Sequence, residues 1–347
     1  MRRGAAPRPT PVVPLTVGEV AGPGLAIVTG AARGIGRAVA LHLAAAGHRV
    51  ALNDTGVALD GSLPDEGPAN AVAEEINRAG GRALASATDA RTRAGAEKVV
   101  ADAQRWAGAA PTVVVHAAGT LRDAMVHKAR DGDWAEVMGS HLAVAVEVTR
   151  SVAGPMRTDG WGRIVYVGGA AGLVGSVGQA SYAAAKAGLF GLTRAVALEM
   201  AGRDVCVNYV APFAFTRMTE AIPPVTDRLR HYLASAALAS PDDVAPLIAW
   251  LCSPAARGIT GQVFGARGAE ISIWSQPRPA ASLVHEPGWD AAELTARLRP
   301  AFEGLSTPLE SEFDLFGRPP VAVAGSSSQG ATPPQPQPEP QPQPQRG

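Results

Sequence analysis

Leu25-Ala26-Ile27-Val28-Thr29 followed by Gly30-Ala31-Ala32-Arg33-Gly34-Ile35-Gly36-Arg37 is the stretch from which the fold can be read. Five uncharged, mostly branched residues suit a strand buried on both faces, and the apolar periodicity from Ile35 to Ala46 suits a helix. Between them, three glycines let the backbone approach a ligand closely, and the helix that follows offers free N–H groups and the positive end of its dipole. Strand, glycine-rich turn and helix in that order form an anion cradle suited to a dinucleotide pyrophosphate. The second strand, His48 to Asn53, leads into Asp54, 18 residues beyond Gly36. That is close to the spacing at which an acid accepts hydrogen bonds from an adenosine ribose. Asp54 favours NAD(H), because its charge would repel a 2′-phosphate. Arg33, whose guanidinium could pair with that phosphate, keeps NADP(H) as the alternative.

Working outward, the pattern of a short β-branched run followed by an Ala-rich helical run repeats. Ala69 to Ala79, Ala94 to Trp106, Asp133 to Met156 and Tyr182 to Ala201 read as helices. Ala83 to Ala87, Thr112 to His116, Gly162 to Val167 and Val205 to Val210 read as strands. A further helix is expected over Pro241 to Leu251, after the cap Ser240-Pro241-Asp242-Asp243, and a last strand over Gly261 to Gly265. Apolar strands each followed by a helix imply an α/β fold, a doubly wound, Rossmann-type parallel sheet in a single domain. The expected organisation is a disordered tail at 1–22, the Rossmann domain at 23–268, a C-terminal extension at 269–322 and a Pro/Gln-rich disordered tail at 323–347. The tails lack the apolar content needed to offset ordering entropy.

Composition sets limits on partners. The 347 residues carry 31 basic and 31 acidic side chains, so no polybasic nucleic-acid or membrane-surface function is expected. No run is long and apolar enough to span a bilayer, and the basic N-terminus lacks the apolar core of a secretory signal. Cys206 and Cys252 both lie in apolar runs, which argues for buried thiols and a cytoplasmic setting rather than a disulfide framework. No metal site is expected.

Lysine is rare in this chain: Lys98, Lys128 and Lys186 are the only three beside four tyrosines. Composition alone would produce a tyrosine four residues before a lysine roughly 0.03 times, so Tyr182-Ala-Ala-Ala-Lys186 is informative. Four apart at a helix start, the two side chains share one face. The phenol can act as acid or base on a carbonyl or alcohol oxygen, and an adjacent ammonium would lower its pKa. A compact ammonium rather than a guanidinium fits that task.

Thr29-Gly-Ala-Ala-Arg-Gly-Ile-Gly36 with Tyr182-Ala-Ala-Ala-Lys186 resembles the short-chain dehydrogenase/reductase family over about residues 22–268. Several local features resemble more closely its (3R)-hydroxyacyl-CoA dehydrogenase branch, found in multifunctional enzyme type 2 and bacterial relatives. These are Asn53-Asp54 followed by a long insertion (Gly56 to Gly67), Leu121-Arg122-Asp123, Gly178-Gln179-Ala180 and Thr216-Arg217-Met218-Thr219. The resemblance implies interconversion of 3-hydroxyacyl and 3-oxoacyl thioesters, and a homodimer or homotetramer. It also implies a cofactor site formed by Gly30, Arg33, Gly34, Ile35, Gly36, Asp54, Asp89, Ala90, His116, Ala118, Gly119, Tyr182, Lys186, Pro212 and Thr216. In that frame Asp89 meets the adenine amino group, and His116-Ala117-Ala118-Gly119 replaces the family's Asn-Asn-Ala-Gly. Lys186 also holds the nicotinamide ribose.

Two catalytic positions depart from the family. The serine that precedes the tyrosine by 13 residues is Gly169 here, and the relay asparagine is His141, a histidine also found in the hydroxyacyl-CoA branch. Loss of one oxyanion donor costs on the order of 10²- to 10³-fold in rate. A nucleotide-binding, catalytically impaired relative acting as a subunit or regulator is therefore the alternative reading. Phe213 to Leu238, apolar with Arg217, Arg228 and Arg230, is the expected substrate segment. The extension, with Trp274, Trp289 and a helix from Asp290 to Leu298, is expected to dock on the domain or a neighbouring subunit.

Overall fold

The computed structural model describes residues 24–57, 67–222, 224–286 and 288–323. The tail expected at 1–22, nearly all of that expected at 323–347, and most of the insertion at 56–67 lie outside these residues.

Eight strands form one sheet in the order β3-β2-β1-β4-β5-β6-β7-β8. They are β1 (Leu25–Thr29), β2 (Arg49–Asn53), β3 (Arg82–Ser86), β4 (Pro111–His116), β5 (Trp161–Val167), β6 (Asp204–Phe213), β7 (Val263–Arg267) and β8 (Glu270–Ile273). All pairs are parallel except β7–β8. Leu25, Ala26, Ile27 and Val28 have no exposed surface, as a strand covered on both faces requires. On one face lie α1 (Gly34–Ala45), α2 (Gly67–Arg78) and, from the far end of the chain, residues Ala245–Leu251. On the other lie α3 (Arg93–Ala107), residues 131–159 and Ala180–Glu199. The strand order reverses between β1 and β4, and ligands of such sheets bind in the crevice outside the strand ends there.

The helix expected over Asp133 to Met156 has a local break. It comprises α4 (Asp131–Met138), a π-helical turn (Gly139–Ala143) and α5 (Val144–Asp159). The widened turn contains His141, and such turns are frequent at functional sites. After β5 come the short α6 (Ala171–Val174) and the long α7 (Ala180–Glu199). After β6 come α8 (Arg217–Glu220), α9 (Asp227–Ala236) and α10 (Ala245–Leu251), the last entered through a 3₁₀ turn capped by Ser240.

The last parallel strand lies two residues later than expected and turns at Gly268 into β8, so the sheet continues past residue 268. The extension adds α11 (Ala291–Glu293), a π turn (Leu294–Leu298), α12 (Arg299–Leu305) and α13 (Glu312–Leu315). Its final part docks on the domain. Phe313 packs edge-on to Tyr232 and Phe316 lies against Phe213, each with ring centroids 4.7 Å apart. Arg228 of α9 pairs with Asp314, and the Ala269 N–H donates to the Val321 carbonyl at 2.8 Å.

Candidate active site

The cradle after β1 is built as the glycines suggested. Gly30 has φ +67°, and a Cβ there would lie 2.5 Å from the Ala118 nitrogen. A Cβ at Gly36 would lie 2.0 Å from the Gly30 carbonyl oxygen. These glycines let the turn fold flat against β4 and bring the start of α1 to the crevice. Asp54 braces the same turn, its Oδ2 accepting from the Ala32 N–H at 2.9 Å and its Oδ1 from the Gly56 N–H at 2.8 Å. Beside it the Arg33 Nη1 is buried without a protein partner. Arg217 lies in the field of both, its charge opposed by Arg33 and favoured by Asp54.

A cavity of about 410 Å³ runs from this cradle to Tyr182. Its walls include Gly30, Arg33, Gly34, Ile35, Gly36, Asp54, Asp89, Ala90, Ala118, Gly119, His141, Gly169, Tyr182, Lys186, Pro212 and Thr216. The flat glycine turn, the helix start and an unpartnered guanidinium fit a dinucleotide. Asp89 lies on the wall with its carboxylate gripped by Arg91, which holds its pKa below the ordinary value. Among the described residues, no group of three or more His, Cys, Asp or Glu is arranged to hold a metal.

His116 is the one expected site residue that the structure does not bring to the cavity wall. Its ring stacks on Tyr166 at 5.4 Å, and its Nδ1 lies 3.2 Å from the Thr29 hydroxyl. Thr29, His116, Tyr166 and Tyr209 are register partners in successive strands, so they form a row within the sheet. Burial pushes the imidazole down to about 3, and His116 is neutral in that row.

Tyr182, Lys186, His141 and Gly169 meet at the other end. The Lys186 Nζ donates to the Val167 carbonyl at 2.8 Å and lies 5.4 Å from the Tyr182 ring centre. His141 meets Tyr182 edge-on at 5.2 Å. A Cβ at Gly119 would lie 1.8 Å from the His141 Cε1, so the glycine provides the seat for the imidazole. The His141 Nε2 is 2.8 Å from the Thr120 carbonyl, which can only accept, so Nε2 carries the proton. Nδ1 is then a buried lone pair without a protein partner. Burial, reinforced by the Lys186 charge, holds His141 well below its ordinary pKa.

The expected depression of the Tyr182 pKa by Lys186 is reversed here. Burial raises the phenol well above its ordinary value, and the nearby Glu312 carboxylate adds to the rise. Burial likewise pushes Lys186 down to about 7. The phenol is thus kept neutral, which suits a proton donor.

Gln179, Tyr232 and Glu312 are among the wall residues beyond the expected catalytic and cofactor positions. Gln179 donates to both carboxylate oxygens of Asp123 at 3.2 Å. Glu312 belongs to the extension, at the start of a helix beyond those expected from the sequence, although Ser311-Glu312-Phe313-Asp314 has a capping pattern. A capping pattern says nothing about which cavity a side chain enters.

Residues 24–226 match the short chain dehydrogenase family model. The chain is 38% identical over 294 residues to hydroxyacyl-CoA dehydrogenase ChsB1 of Mycobacterium tuberculosis, covering 81% of this chain and 89% of that one. It is 37% identical to peroxisomal multifunctional enzyme type 2 of Mus musculus, over 65% of this chain and 29% of the relative. A crystal structure of a short chain dehydrogenase from Mycobacterium avium superposes with TM-score 0.69 at 36% identity, covering 89% of this chain and all of that one. With a Rossmann-type sheet, the glycine cradle and the Tyr-Lys pair in place, the chain belongs to the short-chain dehydrogenase family and is an NAD(P)-type oxidoreductase.

Proposed function

We propose that this enzyme interconverts 3-hydroxyacyl and 3-oxoacyl thioesters, using NAD(H) in preference to NADP(H). The observation that carries the reading is the single cavity that joins a dinucleotide cradle at one end to Tyr182, Lys186 and His141 at the other. The names of the Mycobacterium tuberculosis and mouse relatives, and of a 3-oxoacyl-[acyl-carrier-protein] reductase of Synechocystis at 35% identity, support the substrate class. Phe213, Met218, Ile222 and Tyr232 offer an apolar wall to an acyl chain.

The bound nicotinamide would supply or accept the hydride. Tyr182 gives its proton to the substrate oxygen in reduction and receives it back in oxidation. Lys186 is oriented by Val167 and presents its charge to the same end of the cavity. His141, neutral with Nδ1 free to accept, can hold a water that returns a proton to this end.

The assay that tests the proposal measures hydride transfer between acetoacetyl-CoA and either NADH or NADPH. Turnover with at least one supports it. Dinucleotide binding by calorimetry without any turnover would favour the second reading, a catalytically impaired binding subunit, for which the missing side chain at Gly169 speaks. Cofactor choice has its own test. Asp54→Asn removes the charge that faces a 2′-phosphate while retaining an oxygen for the turn. We expect the NADPH-to-NADH ratio of kcat/KM to rise by about tenfold or more, with Arg33 available to the phosphate. An unchanged ratio would remove Asp54 as the discriminating group.

Along α7, Ala184, Ala187, Gly191, Ala195 and Leu198 are exposed in the single chain at helical spacing. This small apolar stripe supports a homodimer or homotetramer. The two buried, unpaired cysteines support the cytoplasmic assignment. Among the described residues, no helix is long and apolar enough to cross a membrane.

A further inference from the structure

We propose that Glu312, carried in by the C-terminal extension, contacts the substrate: its carboxyl hydrogen-bonds the reacting oxygen from the side where position 169 has no side chain. The inference rests on the carbonyl-reducing role proposed above and adds to it a residue outside the family's usual catalytic set. Glu312 is only 9% exposed, yet it lies on the wall of the same cavity as Tyr182 and Gly169. Its carboxyl sits by the Ala171 N–H, at the start of α6 and two residues beyond Gly169, and by the Ser176 hydroxyl just after that helix. A Cβ at 169 would lie 3.1 Å from the Tyr182 hydroxyl, so the space that Gly169 leaves open adjoins Tyr182. The Glu312 N–H donates to the Gly175 carbonyl at 3.1 Å, which fastens α13 to this same loop.

A helix that served only to cover the cavity would gain little from a buried acid, whose desolvation the Ala171 N–H and the Ser176 hydroxyl only partly offset. Here α13 is held by other groups: the Ser311–Asp314 capping box, the Arg228–Asp314 ion pair, Phe313 on Tyr232 and Phe316 on Phe213. Glu312 is thus not needed to hold α13, and its carboxyl lies between Ala171, Ser176 and the cavity. Burial pushes its pKa up to about 7, opposed by Ser176 and Ala171 and helped to a lesser extent by the charge of Asp123. The other titratable groups facing it are Tyr182, Tyr209 and Tyr232, all neutral phenols with raised pKa values. A neutral carboxyl can accept through one oxygen and donate through the other. No proton leaves Glu312 in the reaction: the proton transferred to the substrate oxygen is Tyr182's, and Glu312 only donates a hydrogen bond.

The test uses the full chain with acetoacetyl-CoA and NADH or NADPH. Glu312→Ala should lower kcat/KM by about 10²-fold, whereas Glu312→Gln, which still has a donor, should stay within about tenfold of the parent. Adding Gly169→Ser to Glu312→Ala should raise kcat/KM at least about tenfold more than Gly169→Ser does alone, because both groups would serve one oxygen. The activity lost as pH rises through about 7 should be partly restored in Glu312→Gln, whose amide does not ionise. Equal kcat/KM in Glu312→Ala and the parent, or the same factor from Gly169→Ser in both backgrounds, would overturn the proposal. If the parent shows no turnover, the functional reading fails separately, and infrared difference spectra then decide on the contact. A protonated-carboxyl band that shifts when acetoacetyl-CoA binds and is absent in Glu312→Gln supports it, and a band that does not shift overturns it. Melting curves accompany each variant, and Glu312→Gln carries the comparison where Glu312→Ala does not fold.

Discussion

Tyr182→Phe is expected to lower kcat/KM for carbonyl reduction by about 10³-fold while leaving dinucleotide binding within about threefold. The substitution removes one oxygen and keeps the ring, so the edge-on packing with His141 at 5.2 Å and the proximity to Lys186 survive. The proton that must accompany hydride delivery is what disappears. Burial and Glu312 keep the phenol protonated well above neutrality, so Tyr182 is the acid in its ready form throughout the working range. The pH dependence of reduction should therefore not come from Tyr182. Raising the pH first discharges Lys186, with a pKa of about 7, and ionises Glu312, also about 7. Both changes make the cavity more negative and less favourable to the growing charge on the substrate oxygen. The expected profile falls on the alkaline side of neutrality, and that fall should be measured in kcat/KM over several buffers. A Tyr182→Phe enzyme as fast as the parent would remove Tyr182 from catalysis.

The readable parts of this fold are those where one short window determines the answer. Leu25 to Gly36 contains a buried strand, a turn that demands glycine and a helix start, and the structure keeps all three within a residue or two. Tyr182 and Lys186 were legible for the same reason, because a four-residue spacing on a helix fixes which side chains share a face. Legibility failed where position depends on distant packing. The π turn at Gly139–Ala143 adds no residue type that periodicity would notice, yet it sets how His141 enters the site. His116 follows Thr112 to Val115 in an ordinary strand pattern, and only the pairing with Thr29 and Tyr166 shows that its ring is held inside the sheet. Glu312 is the extreme case: it is 130 residues beyond Tyr182, and it reaches the cavity only because Phe313 and Phe316 find Tyr232 and Phe213.

The second large effect is expected at the cofactor end, where Gly36→Ala should weaken dinucleotide binding by about 10²-fold or more. The added Cβ would fall 2.0 Å from the Gly30 carbonyl oxygen and 3.2 Å from the Ala31 Cα, and neither is the end of a flexible side chain. Backbone must move, and the first turn of α1 must separate from the loop between Gly30 and Arg33. That separation displaces the N–H groups meant for the pyrophosphate, and interactions that depend on such placement weaken steeply with displacement. The turn is also tied to Asp54 through the Ala32 N–H, so the ribose end is disturbed with it. The fold should lose about 1–3 kcal/mol, the usual cost of overpacking, which is small enough for binding to be measured on folded protein. Gly154→Ala is the matching control. Gly154 lies within α5, where an added methyl would meet nothing inside 4 Å and the φ is not positive. Alanine there should stabilise by about 0.5–1 kcal/mol and leave binding unchanged. Calorimetric titration with NAD⁺ and NADP⁺, paired with thermal melts of both variants, separates the two cases. Binding lost equally in both would assign the effect to glycine replacement in general, whereas loss in Gly36→Ala alone assigns it to the contact between the two backbones.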